Sequence, residues 1–274
     1  MTLDINRRVL PGYGLSLGYT IFYLSLLVLV PIAAGVLKTA SLPFAQFWAA
    51  VSTDRAIAAY RLTVGASFVS AVINVAIGCV VAWVLTRYRF PFRGLLDSLI
   101  DLPFALPTAV AGLVYSNLYA PNGWLGRYLV PLGIQGAYSR LGIVLVLVFI
   151  GFPFVVRTLE PVIADLDSDI EEAAACLGAS RWQTVTQVIL PALRPAVITG
   201  FALSFARALG EYGSVVFIAG NMPYKTEIAP VLVVARLEEF KYGEATAIAM
   251  VLLLISFVTL LGIGLFERWT ARHG

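Results

Sequence analysis

The chain has 274 residues, of which 59% are hydrophobic and only 13% charged, with a net charge of +3 and a mean hydropathy of +0.87. A typical soluble chain carries about 25% charged residues. This one has too little polar side chain to cover a water-soluble globule, so an integral membrane protein is the expectation, and its scattered basic residues suit membrane orientation better than nucleic-acid binding.

A helix needs about 20 predominantly apolar residues to cross the hydrocarbon core, and six segments qualify as predicted spans. The first covers about Leu15 to Val36. Arg7 and Arg8 ahead of it, and "KTAS" behind it, resemble parts of a signal peptide, but the apolar run is longer than a usual signal core and predicts an uncleaved span. "KTASLPFAQFWAAVSTDR", Lys38 to Arg55, follows with apolar residues at mixed spacing and is expected to lie along the interface. The second span covers about Leu62 to Leu85, and the third about Leu99 to Leu118, interrupted by Pro103 and Pro107. Broken spans are tolerated where they line protein or a cavity, so the third is a candidate pathway element or a plain kink. Asp97 and Asp101 stand at its start, where acids favour a helix N-terminus. The fourth span covers about Leu141 to Val156, with Gly151 and Pro153, and the fifth about Ala196 to Ala219. "NMPYKTEIAPVLVVARLEEF", Asn221 to Phe240, is too short to span and reads as a re-entrant or surface helix. The sixth span covers about Thr246 to Phe266. This predicts an all-α, polytopic membrane helix bundle of six transmembrane helices, a single domain over residues 1–274.

Three basic clusters fall on one side if the spans alternate: Arg7 and Arg8, then Arg87, Arg89 and Arg93 in "TRYRFPFR", then Arg268 and Arg272. The positive-inside rule puts that side, and both termini, in the cytoplasm. The longest inner loop then runs from about 157 to 195, far more than a connection needs.

That loop reads as two short helices. Ser168 with Glu171 fits a capping box, and so does Ser180 with Gln183. Gly178 is placed to end the first helix in a left-handed turn. Trp182, Val185 and Ile189 line one face of the second, and Pro191 is expected to stop it. The result is either a connector folded on its own bundle or a knob that enters a groove on a soluble partner.

Chemistry-bearing motifs are few. Cys79 and Cys176 form no C-x-x-C pair and predict no disulfide framework. One histidine, His273, and no cysteine cluster make a transition-metal site improbable, and no cofactor is expected. None of Lys38, Lys225 and Lys241 follows a glycine, so there is no Walker-type phosphate loop. Arg207 and Glu211, four apart, would share a helical face in span five. Charges in a span are expensive and face a bundle interior or water. The pair either locks span packing or lends positive potential to an anion path.

The inner loop resembles the EAA loop of ABC importer permeases, E-A-A-x3-G-x9-I-x-L-P. Glu172, Ala173, Ala174, Gly178, Leu190 and Pro191 match it, with Val188 in place of Ile. "NRRVLPG", "LTRYRFP", "DLPFALPTAVAGL", "PFVVRTLEPV" and "ALSFARALGEYGSVVFIAGN" extend the resemblance to sulfate/thiosulfate importer permeases of the T-type. "RALGEYG" is shared in outline with molybdate permeases. The resemblance implies the type I ABC importer permease fold and a bacterial inner-membrane protein that is not itself an enzyme. It further implies a heterodimer with a sister permease, a cytoplasmic ATPase homodimer that hydrolyses ATP, and a periplasmic sulfate-binding protein. The alternatives are another oxyanion permease, or a stand-alone secondary transporter, which would need a complete path within one chain.

Overall fold

The computed structural model describes residues 12–273. Arg7, Arg8 and the run from Asn6 to Pro11 lie outside them, as do the side chains of Ser168, Arg268, Arg272 and His273. The described residues are all-helical, and five of their helices are long and apolar enough to cross a bilayer.

The first of these, α1 (Tyr13–Ala40), is continuous through the predicted first span. None of its residues is buried by this chain. The short α2 (Phe44–Val51) packs Ala50 and Val51 against Ala247 and leaves Phe44 and Trp48 exposed. Helix α3 (Asp54–Arg87) starts at Thr53, whose hydroxyl accepts from the Ala56 amide.

The expected third span is in pieces: α4 (Arg93–Ile100), α5 (Leu102–Ala105) and α6 (Thr108–Tyr119). The breaks fall beside Pro103 and Pro107. A proline has no amide to donate and disfavours helical backbone at the residue before it; Leu106, ahead of Pro107, is extended with ψ 133°, whereas Leu102, ahead of Pro103, opens α5 in helical backbone. After α7 (Gly126–Leu129) comes α8 (Arg140–Ala164), which extends eight residues past the expected end at Val156 despite Pro153 and Pro161. A nine-residue helix, α9 (Ser168–Cys176), leads into α10 (Arg181–Leu209). Then come α11 (Val215–Ile218), α12 (Ala229–Glu238) and α13 (Tyr242–His273). Of the re-entrant and surface readings of Asn221 to Phe240, the surface one does not hold: α12 buries Ala229, Val231 and Leu232, and Ala229 and Leu232 pack in one cluster with Ala56, Tyr60 and Ile248.

Two expectations about the fifth span are corrected. Pro191 does not stop a helix; α10 runs straight through it and ends ten residues short of Ala219. The backbone widens to a π-type turn over Thr184–Ile189, immediately ahead of Pro191. The same device, Ser25–Leu29, stands ahead of Pro31 in α1. A proline removes one intrahelical bond and crowds the carbonyl four residues back, and a wider turn relieves both.

The bundle's centre is α3, α8 and α10. Their crossings are close because glycines sit at them: a Cβ on Gly78 would lie 2.7 Å from Val155. A Cβ on Gly151 would lie 2.5 Å from Ser204 Oγ and 2.6 Å from Asn74 Nδ2. Asn74 donates to Ser204 there at 3.0 Å, fully buried.

Candidate functional site

Arg87 ends α3, and its Nη2 donates to the Leu166 carbonyl at 2.7 Å, so the segment between α8 and α10 lies at that end of the bundle. Helix α9 starts one residue earlier than the predicted Ser168–Glu171 capping box requires, with Asp167 at the cap position. Glu171 faces a cation instead, its Oε1 lying 3.4 Å from Arg87 Nη2.

Gly178 ends α9 with φ +80°. The Gly178 amide donates to the Ala175 carbonyl and the Ala179 amide to the Ala174 carbonyl, both at 3.0 Å. This is a Schellman turn, which needs the left-handed residue that glycine supplies without strain. The predicted Ser180–Gln183 capping box is present, with the Ser180 amide donating to Gln183 Oε1 at 2.8 Å and the Gln183 amide to Ser180 Oγ at 3.3 Å. It starts α10 two residues after the turn.

The surface this builds is apolar at its crest. Leu177 is 89% exposed and Trp182 74%. Glu172 and Ala173 are also exposed, whereas Ala174 is buried. Val188 and Pro191 are half-buried, and Leu190 is exposed. The predicted ridge of Trp182, Val185 and Ile189 is split between two environments. Trp182 stands in the open, while Ile189 is buried in a cluster with Leu85, Leu159 and Leu193. Beside it, Trp83, Tyr88, Phe90, Val185 and Ile189 line a groove of about 550 Å³. Leu177 was not singled out in the sequence, because its exposure follows from how the turn sits on the bundle and not from its residue type.

Arg207 and Glu211 do meet, Nη1 to Oε2 at 2.6 Å. They do not share a helix face, because α10 ends at Leu209 and Glu211 lies beyond it. Glu211 is 3% exposed and also accepts from the Ser214 amide and hydroxyl, both at 2.9 Å. The carboxylate is thus satisfied by three donors in the protein, while the guanidinium is about one-third exposed.

Asp101 does stand at a helix terminus, between α4 and α5, while Asp97 lies inside α4. Neither caps a helix with its side chain; both grip Arg157 of α8, Asp97 Oδ1 on Nη1 at 2.6 Å and Asp101 on Nε at 2.9 Å and Nη2 at 2.6 Å. Glu160 adds a third carboxylate at 2.6 Å. This clamp fastens the α4–α5 corner to α8. Arg157 lay unremarked in the sequence because Asp97 and Asp101 are about 60 residues away. At the other end of the bundle Arg55 is held bidentate by Glu227, at 2.6 and 2.7 Å, and Arg140 Nε donates to the Lys225 carbonyl.

Residues 74–272 match the family model described as "Binding-protein-dependent transport system inner membrane component". The chain is 47% identical over 268 residues, covering 98% of it and 97% of the relative, to the sulfate transport system permease protein CysT of Escherichia coli (strain K12). Its fold is similar to a solved bacterial ABC transporter involved in the import of the acidic polysaccharide alginate, with a TM-score of 0.77, 16% identity, and coverage of 92% of this chain and 93% of that one. The alginate ABC transporter in complex with an alginate pentasaccharide-bound periplasmic protein gives a TM-score of 0.75 at 19% identity, covering 92% of both chains. An all-helical chain with several apolar spans, a glycine-turned helical segment between two of them, and near full-length identity to a permease belongs to the family of inner membrane components of binding-protein-dependent transport systems.

Proposed function

We propose that this chain is one permease half of an ATP-driven importer of sulfate or thiosulfate in the bacterial inner membrane. The observation that carries the reading is the 47% identity to the sulfate transport permease, which extends over 98% of this chain. The chain forms half of the path, a sister permease the other half. A homodimeric ATPase on the cytoplasmic side hydrolyses ATP, and a periplasmic sulfate-binding protein delivers the anion. The surface of α9 and the start of α10 is the coupling segment, with Glu172, Ala173, Ala174, Gly178, Val188, Leu190 and Pro191 as its motif residues. The exposed crest of Leu177 and Trp182 supports this role, because large apolar side chains standing in water on a rigid turn mark interaction sites.

Six crossings, with both termini inside, fit this assembly. Arg55 and Arg140, at the starts of α3 and α8, are held by the 225–227 segment, and Arg87 at the end of α3 meets Leu166 just past α8. Both helices therefore run in the same direction, and the chain between them has to return across the bundle; α4, α5 and α6 supply that return in pieces. The basic cluster Arg87, Arg89 and Arg93 lies on the coupling side, in line with the positive-inside rule.

The test is uptake of labelled sulfate in cells lacking their own sulfate permeases, with this chain expressed beside its neighbouring ATPase, sister permease and binding protein. Uptake that requires the ATPase, and that excess thiosulfate but not molybdate suppresses, is expected. Uptake without the ATPase would make the chain a secondary transporter, and ATPase-dependent uptake of molybdate alone would overturn the substrate.

A further inference from the structure

We infer that Arg87 is a positioning residue that transmits movement of the coupling segment into α3. The inference rests on the proposed coupling role of α9.

The covalent chain joins α9 to two core helices, α8 before it and α10 after it. It gives no route to α3, the third helix of the core, whose end is some 80 residues earlier in sequence. Arg87 provides one. Its Nη2 donates to the Leu166 carbonyl at 2.7 Å, in the turn between α8 and α9, and lies 3.4 Å from Glu171 Oε1 in the first turn of α9. The guanidinium also lies over the Trp83 ring, 5.3 Å from its centroid, which fixes the side chain one turn back on α3. An arginine suits this place because its planar fork can hold two acceptors and stack on an aromatic face at once, which an ammonium does not do.

The arrangement has room for a second state. Arg87 Nε is buried and has no acceptor among the described residues. The Glu171 contact, at 3.4 Å, is long for a charge-assisted bond, which settles near 2.7–2.9 Å. A short shift of α9 toward α3 would let the Glu171 carboxylate take the unpaired Nε–H. Leu166 then acts as the fixed pivot and Glu171 as the sliding contact, so a displacement of α9 pulls on the end of α3.

The test uses the assembled complex of both permeases and the ATPase in proteoliposomes, with the binding protein supplied, and measures ATP hydrolysis and sulfate uptake on the same preparation. Arg87→Gln is expected to leave ATPase co-purification intact and to lower sulfate taken up per ATP hydrolysed about five- to tenfold. Arg87→Lys is expected to fall between it and the native chain, and Glu171→Gln to show a smaller loss because the Leu166 bond survives. Parallel falls in hydrolysis and uptake, or no change in their ratio, would overturn the inference. Gly178→Asp separates the two claims. If it releases the ATPase while Arg87→Gln keeps normal coupling, the coupling surface stands and the Arg87 link is wrong. If Gly178→Asp leaves the ATPase bound and uptake normal, the coupling reading itself fails.

Discussion

Glu211 reaches back across the end of α10 to Arg207, four residues earlier, and is held from its other side by the amide and hydroxyl of Ser214. The pair therefore ties the helix end to the turn that follows it. The burial is lopsided, with the carboxylate enclosed and the guanidinium partly open. Removing one partner of a fully buried pair costs about 3–5 kcal/mol, because the other charge is left uncompensated. Arg207→Met is therefore expected to lower the melting temperature of the detergent-solubilised complex, by less than that full penalty since Arg207 is partly hydrated. The double change Arg207→Met with Glu211→Met is expected to recover only part of the loss, because the buried amide and hydroxyl of Ser214 lose their acceptor. Arg207→Lys separates charge from fork geometry: retained uptake assigns the role to charge, and lost uptake to the guanidinium.

At Gly178 the constraint is backbone and not space. A Cβ there would meet nothing within 4 Å, but φ is +80°. A side chain in the left-handed region costs roughly 1–2 kcal/mol, less for Asn, which bonds locally. The expected order of sulfate uptake is native, then Gly178→Asn, then Gly178→Ala, with Gly178→Asp inactive because it adds a charge beside the Leu177–Trp182 crest. Membrane insertion, read from protease accessibility of the loops, is expected to be unchanged in all three. Uptake that falls in a different order would place the defect elsewhere than the turn.

Gly151 presents the opposite case, a helical glycine with no conformational demand and no room. Its Cβ would press on Ser204 and Asn74 at the centre of the bundle. Overpacking of this kind costs about 1–3 kcal/mol. Gly151→Ala should lower the melting temperature, and adding Ser204→Ala should return part of it, because the hydroxyl is the nearer obstacle. A double variant no better than the single one would assign the loss to a backbone shift instead.

The Arg157 clamp predicts a graded series. Asp97→Asn leaves both bonds to Asp101 in place and is expected to have a small effect. Arg157→Ala leaves Asp97, Asp101 and Glu160 with no shared cation and frees the α4–α5 corner from α8. Labelling of a cysteine placed at Leu99 by a water-soluble maleimide should speed up in Arg157→Ala and hardly at all in Asp97→Asn. Equal rates would mean that apolar packing, not the clamp, holds the corner.

Local covalent chemistry was enough to read much of this from the residues in order. Long apolar runs located the first, second, fourth and sixth spans to within several residues, because a bilayer demands about 20 apolar residues whatever surrounds them. Pro103 and Pro107 gave the breaks in the third segment, and Gly178 and Ser180 with Gln183 gave the turn and cap of the coupling segment, because those effects act within four residues. What reads across the fold was hidden. The path of α10 through Pro191 depended on a widened turn ahead of the proline, where the proline alone reads as a stop. Asp97 and Asp101 had the spacing of a helix-start feature, and only packing brought Arg157 between them. Arg87 could be counted for orientation but not matched to Leu166 and Glu171, about 80 residues later. The sequence by itself determined the membrane class, the approximate place of most spans and the Gly178 turn with its Ser180 cap, each a property of a short window of chain in a known solvent. Only the tertiary structure decided which charges meet, which apolar side chains are left in water and which glycines have no room, because these depend on residues far apart in sequence that pack together.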